Sequence, residues 1–436
     1  MSALAICLIG LAAFIVLMAF EMPIAFAFAL VGCIGVILLK GLEPGLLLLA
    51  SAPITYASSG ALVAIPLFVL MGQFVFQSGI SEELYAAAYK WVGRLPGGLA
   101  LATTLACTAF GACCGVSVAA AATMGSVAFP EMDKYRYSRR LSTGCIAAGG
   151  SLSCLIPPSV AFIVYGVLTE SSVGQLFLGG IFPGLLLASL YLVLIYVMCV
   201  RNPALGPAGE SSSWKAKLGS LKGVIGALIL FLIVIGGLSA GVFSANEVGA
   251  IGAIGAFILA IIKRRMSFSA LVGSLKSSIL TTCFILTLYT GAMIFSNFLA
   301  LGHFSSLFRD WINSLPFSHH AIMIIILFLY IPLGMFMDGL AMLLLTLPIV
   351  FPIVKAFGFD PVWFGIIVTL LVEMALLSPP VGLNSYVVHG VTKVPLQEVF
   401  YGIAPFFGMM FLCLVLLYVF PAITLFLPNT VGIGAR

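Results

Sequence analysis

Apolar runs separated by short polar breaks cover almost the whole chain. They occupy residues 4–20, 24–39, 46–76, 99–110, 117–129, 141–167, 177–200, 221–238 and 248–262. They continue over 279–301, 321–337, 340–354, 362–377, 386–391 and 399–427. A membrane crossing takes about 20 apolar residues, so most runs predict transmembrane helices. Three of them, 99–110, 340–354 and 386–391, are too short to cross and adjoin Gly, Pro or polar breaks. They predict half-helices. Opened backbone at membrane depth is tolerated only inside protein or along a watery cavity. Interrupted helices near the midplane are the sequence pointer to a transporter's binding site.

The polar connectors set orientation and organisation. Segment 131–140 (EMDKYRYSRR), segment 201–222 and segment 262–276 carry most of the connector Lys and Arg. The positive-inside rule places all three in the cytoplasm. Loop 355–361 has one Lys and one Asp and reads as periplasmic. The Pro/Gly/Ser-rich 201–222 stretch divides the chain near its midpoint. That predicts a first half at 1–200, a cytoplasmic linker at 201–222 and a second half at 223–436. A shift of 222 residues places Phe129-Pro130 on Phe351-Pro352 and Pro157-Pro158 on Pro379-Pro380. It also lays FGACCGVSVAAAATMGSVAFP over PLGMFMDGLAMLLLTLPIVFP without a gap. Matched loops on opposite sides of the membrane are what an inverted repeat requires.

Composition sharpens the class. Charged residues make up 8% of the 436 and apolar residues 62%, against about 25% and 45–50% in a soluble chain. The charge is 19 Lys and Arg against 14 Asp and Glu, with no long basic run or stripe, which excludes a nucleic-acid binder. Most of the ten cysteines sit in apolar runs, with no C-x-x-C and no His pair at zinc spacing, so neither a disulfide framework nor a structural metal site is expected. Residues 1–20 have no leading positive charge and read as a retained first helix rather than a secretory signal. No G-x-S-x-G, H-E-x-x-H or phosphate-binding G-x-x-x-x-G-K-[ST] occurs, so neither a hydrolase nor an ATP-driven pump is evident.

Asp338 is the most expensive residue. A carboxylate at membrane depth costs on the order of 2.5–3.5 kcal/mol on insertion scales, and no basic residue lies nearby in sequence. It reads either as a cation ligand or as a helix-end carboxylate turned to water. The segments SLSCLIPPSV and LLSPPVGLN each open a helix, because proline removes a donor and restricts the residue before it. Freed carbonyls there can coordinate sodium, and half-helix N-termini can face an anion; the alternative is a plain kink. Residues 118–125 read as close small-residue packing. Glu21 and Glu247 read as helix-end groups near water. Glu373, flanked by apolar residues, reads as a structural hydrogen-bonding group as readily as a functional one.

The stretches IPLFVLMGQF (65–74), GSVAFPEM (125–132), AAGGSLSCLIPPS (147–159), MDGLAMLLLTLPIVFPI (337–353) and PPVGLN (379–384) resemble the DctM-like large membrane subunit of TRAP (tripartite ATP-independent periplasmic) transporters. That resemblance implies a sodium-driven secondary transporter with an elevator mechanism, not an enzyme. It implies small organic anions as substrates, a periplasmic substrate-binding protein that delivers them, and a small four-helix membrane subunit. No spare four-helix region is present here, so that subunit is expected as a separate chain. The family's usual Ser-Gly-Ser-Ser tip is replaced by Cys114-Gly115-Val116-Ser117, which removes two hydroxyls.

The reading is therefore an all-α, multi-pass protein of the bacterial inner membrane. Its fold is expected to be an inverted repeat with two re-entrant hairpins and two broken helices, an elevator-type transporter. From the resemblance and the repeat, one sodium site would use Cys114, Gly115 and Ser117 with Gly150, Pro157 and Ser159. A second would use Asp338 and Gly339 with Ser378 and Asn384. Substrate would sit between the tips, at Ser117, Ser153, Pro158, Pro380 and Asn384. No cofactor is expected besides sodium as coupling ion. Two rival readings are a single-component sodium-coupled dicarboxylate transporter and an intramembrane enzyme or scaffold.

Overall fold

The computed structural model describes residues 2–209 and 211–431, so Met1, Glu210 of the linker and the 432–436 end of the second half lie outside the described residues. Among the described residues there are twenty α-helices and no strand. Seven helices are long and apolar enough to cross a membrane, or eight if the bent pair Ala64–Gln77 and Ile80–Val92 is one span. Many helices start on a Ser or Asp whose side chain accepts a backbone N–H of the first turn: Ser159, Ser172, Ser213, Ser244, Ser267, Ser318, Asp338 and Asp360. Each satisfies a donor that the helix itself leaves unpaired.

The helix ends repeat. Helix Ser117–Lys134 reappears as Gly339–Ala356, and Arg139–Leu155 as Pro361–Leu377, both ends 222 residues on. Helix Val160–Thr169 reappears as Leu383–Thr392, both ends 223 residues on. Gly98–Cys114 with Ser117–Lys134 forms one helical hairpin; His319–Gly334 with Gly339–Ala356 forms the other. Each hairpin is followed by a helix broken at a Pro-Pro pair, and both pairs are cis. The 46–76 run differs from expectation. It is cut at 58–63, leaving Leu42–Ala57 and Ala64–Gln77, because Ser58, Ser59 and Gly60 interrupt it. Its counterpart, Phe268–Leu301, is one unbroken helix of 34 residues.

The two halves interlock. Helix Val160–Thr169 packs on Gly339–Ala356 of the other half, with Tyr165 edge-on to Phe351. Helix Leu383–Thr392 packs on Ser117–Lys134, where Gly125 faces Val391. Tyr165 Oη also donates to Pro361 O at 2.6 Å. Residues after the first break therefore lie level with 351–361, and residues after the second lie level with 125–134. Positions matched by the shift end on opposite faces, so the repeat is inverted.

Hydrogen bonds tie the basic connectors to one face. Ser138 N donates to Leu205 O, Gly97 N to Gly206 O and Tyr137 Oη to Pro207 O. Lys217 lies over the Trp91 and Trp214 rings. Lys263 pairs with Glu83, and Arg265 with Glu82. Arg140 donates twice to the Glu398 carboxylate, at 2.6 and 3.0 Å.

The centre of the molecule is buried on all sides. Every residue from Val362 to Leu377 is buried, as is every residue from Leu141 to Leu155. By contrast, Leu218, Leu228 and Leu232 of Trp214–Ser239 and Ile279, Leu280 and Phe284 of Phe268–Leu301 are exposed, as lipid-facing side chains are.

Close backbone approach holds the core to its neighbours. A Cβ on Gly402 would stand 2.1 Å from Arg140 O, and one on Gly144 2.2 Å from Gly402 O. Nothing lies within 4 Å of a Cβ on Gly236. Gly402→Val should therefore lower the unfolding midpoint of the purified protein, by overpacking worth about 1–3 kcal/mol. Gly236→Val should leave it close to wild type. Equal midpoints for the two variants would contradict this packing.

Candidate functional site

The first hairpin turns at Gly115. Helix Gly98–Cys114 closes on this glycine in the left-handed region (φ 69°), and the next helix begins two residues later at Ser117. A Cβ on Gly115 would lie 2.5 Å from Pro158 O. Gly115 O accepts from Val160 N at 3.3 Å. The tip thus sits directly on the Pro157–Ser159 bend. A Cβ on Gly111 would meet Ser153 at 2.7 Å, and one on Gly150 would meet Ser117 O at 2.9 Å. The structure therefore brings Cys114, Gly115, Ser117, Gly150, Ser153, Pro157, Pro158 and Ser159 into one neighbourhood. Ser159 Oγ accepts from Phe162 N as an N-cap. The two thiols each find a backbone carbonyl. Cys114 Sγ is 3.8 Å from Val116 O, and Cys113 Sγ is 3.9 Å from Ala227 O. Both are buried.

The second tip is built differently. Asp338 is the N-cap of Gly339–Ala356, and its Oδ2 accepts from Leu340 N at 3.1 Å. Gly334 and Gly339 press on the helix ahead of the second break: their Cβ positions fall 2.0 Å from Ala375 and 2.5 Å from Val372. Ser378 Oγ donates to Met374 O at 2.8 Å, which leaves its lone pairs free. Pro379, Pro380 and Val381 are exposed, whereas Pro157, Pro158 and Ser159 are all buried. One bend is closed over and the other is open.

The broken helices carry buried polar groups without partners. Asn384 is 0% exposed, and neither atom of its amide has a hydrogen-bond partner. Ser153 Oγ, Thr369 Oγ1 and Glu373 Oε2 are likewise buried and unpartnered. A buried polar atom left unpaired costs about 1–3 kcal/mol; the hydroxyls of Tyr85, Ser274, Ser278, Thr282, Tyr330 and Thr424 are unpaired too, so what distinguishes this set is its carboxylate and its amide, the groups most costly to bury without a ligand. The donor types are carboxylate, hydroxyl, amide and carbonyl oxygen, the hard ligands that sodium takes. Glu373 is the functional candidate that pattern reading leaves undecided. The Ser117 hydroxyl and Cys154 thiol face its carboxyl, and Asp338 is close enough to interact with it through charge. A lone acid inside a 16-residue apolar run is the same signal that singles out Asp338. Thr369, one turn earlier on the same helix face, carries no signal in the sequence.

A cavity of about 620 Å³ opens beside the second tip. Asp338, Phe336 and Ala341 line it from the hairpin, and Glu21, Ala25 and Thr287 from the N-terminal helices and Phe268–Leu301. Glu21 is exposed at a turn, as expected, yet it also faces this space. Glu247 completes a capping box with Ser244 at a helix start.

Residues 11–423 match the family described as "Tripartite ATP-independent periplasmic transporter, DctM component". The chain is 34% identical to a C4-dicarboxylate TRAP transporter large permease protein of Pseudomonas aeruginosa, over 86% of this chain and 87% of that one. It is 32% identical to an isethionate TRAP transporter permease protein of Oleidesulfovibrio alaskensis, over 93% of this chain and 66% of that longer one. It is 30% identical to the sialic acid TRAP transporter large permease protein of Vibrio cholerae, over 84% of this chain and 86% of that one. Among solved structures, the YdaH transporter of Alcanivorax borkumensis shares the fold, with a TM-score of 0.64 at 16% identity over 87% of this chain and 89% of that one.

The seating of the first tip can be tested at its glycine. Gly115→Ala places a side chain both in the left-handed region and against Pro158 O, whereas Gly358→Ala has the same backbone problem (φ 76°) with nothing within 4 Å. The backbone cost alone is about 1–2 kcal/mol. Gly115→Ala should lower the unfolding midpoint further than Gly358→Ala and speed maleimide labelling of Cys114. Equal midpoints and unchanged labelling would mean that the tip does not rest on the bend.

Proposed function

The chain belongs to the DctM component family of tripartite ATP-independent periplasmic transporters, and from that premise we propose that it is the large permease subunit of a sodium-coupled importer of a small organic anion, a carboxylate or a sulfonate. The observation that carries this reading is the set of unpartnered buried oxygens and amides in the broken helices. The named relatives support the substrate class. C4-dicarboxylates, isethionate and sialic acid are all small organic anions.

In this reading the first sodium site uses the carbonyls of Cys114 and Gly115, the Ser117 hydroxyl and backbone at Gly150, Pro157 and Ser159. Two of the family's hydroxyls are absent from this tip, so backbone oxygen does more of the work. The second site uses Asp338, Gly339, Ser378 and Asn384. The anion lies between them, against Ser117, Ser153, Pro158, Pro380 and Asn384. Four helix starts, at Ser117, Val160, Gly339 and Leu383, lend partial positive charge to that space. No Lys or Arg pairs with Asp338 or Glu373 among the described residues. Bound cations supply the missing charge, and that is the coupling: the anion binds well only where the cations already are.

The interlocked hairpins and broken helices make one unit that moves against the remaining helices, an elevator. The cavity between Asp338 and Glu21 lies along that boundary. The basic face sits in the cytoplasm and the membrane is the bacterial inner one. A periplasmic binding protein delivers the anion. A separate small four-helix subunit covers part of the exposed apolar face of the other helices.

Asp338→Asn is the most informative substitution, because Asn keeps the N-cap while removing the charge. In proteoliposomes holding this chain, its small subunit and the binding protein, it should raise the sodium needed for half-maximal uptake about tenfold or more, which corresponds to about 1.4 kcal/mol. Unchanged sodium activation would remove Asp338 from the site. Equally fast uptake by this chain alone would favour a single-component transporter.

A further inference from the structure

Resting on that reading of the first tip as an ion site, we propose that Glu373 is the charged ligand of the sodium ion held there, supplied to the first half of the repeat by the second. The two tips are not equivalent. The second hairpin begins its returning helix on a carboxylate, Asp338, and the residue 222 positions earlier is Val116, which caps nothing. The first tip thus lacks the acid that its repeat partner has. Glu373 has no acidic counterpart either. The matching residue is Ser151, whose hydroxyl is already satisfied by Ala148 O at 2.6 Å.

The fold brings these two irregularities together. Glu373 lies on Pro361–Leu377, which packs against Arg139–Leu155. There its carboxyl faces the Ser117 hydroxyl, the first residue of the uncapped helix, and the Cys154 thiol at the end of Arg139–Leu155. It is 1% exposed, and its Oε2 has no partner. Ser153 Oγ, in the residue next to Cys154, is also buried and unpartnered.

A structural glutamate in a membrane core satisfies both oxygens with donors, because an unpaired buried oxygen is costly. This one does not, and the other charge within its reach is a second carboxylate, Asp338. Like charges so placed repel unless a proton or a cation neutralises one of them. A sodium ion between Glu373, Ser117 Oγ and the tip carbonyls removes the repulsion and uses the free oxygen. Asp338 then serves the second ion. Each tip then has one carboxylate, both supplied by the second half, so closing the first tip requires both halves in register.

The test is sodium-dependent thermal unfolding of the purified full-length protein at fixed pH and constant ionic strength, with choline replacing sodium. The wild type should gain stability with rising sodium, and Glu373→Gln should need at least tenfold more sodium for the same gain. Glu373→Asp, which keeps the charge on a shorter arm, should fall between them. Ser117→Ala should weaken the response in the same direction, and more weakly in the Glu373→Gln background than alone. A Glu373→Gln protein that folds and responds to sodium as wild type does would overturn the proposal. So would a Glu373→Asp protein no better than Glu373→Gln. If the wild type shows no sodium response, the sodium reading of both tips falls with it. If the wild type responds and only Asp338→Asn alters the response, the reading stands and Glu373 is excluded.

Discussion

The constraint on which the rest of this structure depends is that helix ends inside a membrane must find partners in protein. Two hairpins and two Pro-Pro breaks leave backbone groups without intrahelical bonds at a depth where water is scarce. The chain answers by seating an end upon an end. Gly115 rests on Pro158 and gives its carbonyl to Val160 N. Gly339 rests on the helix ahead of the second break. The short helix after each break packs on the hairpin of the opposite half, so neither half can bury its openings alone.

That solution leaves some groups unsatisfied. Ser153, Thr369, Glu373 and Asn384 lie in the broken helices, and the hydroxyls of Tyr85, Ser274, Ser278, Thr282, Tyr330 and Thr424 are unpaired on other helices. Elsewhere the buried hydroxyls of Thr103, Thr104 and Thr346 return to the carbonyl four residues back on their own helices. Burial separates the two bends. The first is wholly buried, and the second exposes Pro379, Pro380 and Val381.

Much of this was legible in the sequence. The 222-residue shift matches helix boundaries at both ends, because Pro, Gly and capping residues dictate where helices stop whatever their surroundings. Asp338 and the Pro pairs stand out because each breaks a local rule. The apolar-run scan missed Ile80–Val92 and Phe304–Asn313, since both are amphipathic and carry too many polar residues to register as runs. Cys113 and Cys114 could be placed at the tip but not oriented, because a thiol packs as readily as it faces a cavity. The partner of Glu373 was invisible for a different reason. It arises from a contact between residues more than 200 positions apart, and only the interlocking of the two halves brings them together.

In the proposed function, unsatisfied groups of the broken helices, with Asp338, are the ligands of a cation-dependent anion site. Paired cryo-electron microscopy reconstructions of the assembled transporter, one in sodium with the transported anion and one in choline without it, test this most directly. The account predicts compact density bounded by the first tip and Glu373, and by Asp338 and Asn384, in the first map alone, with the anion between them. Tips packed identically in both maps, with no added density beside Ser153, Glu373 or Asn384, would contradict it.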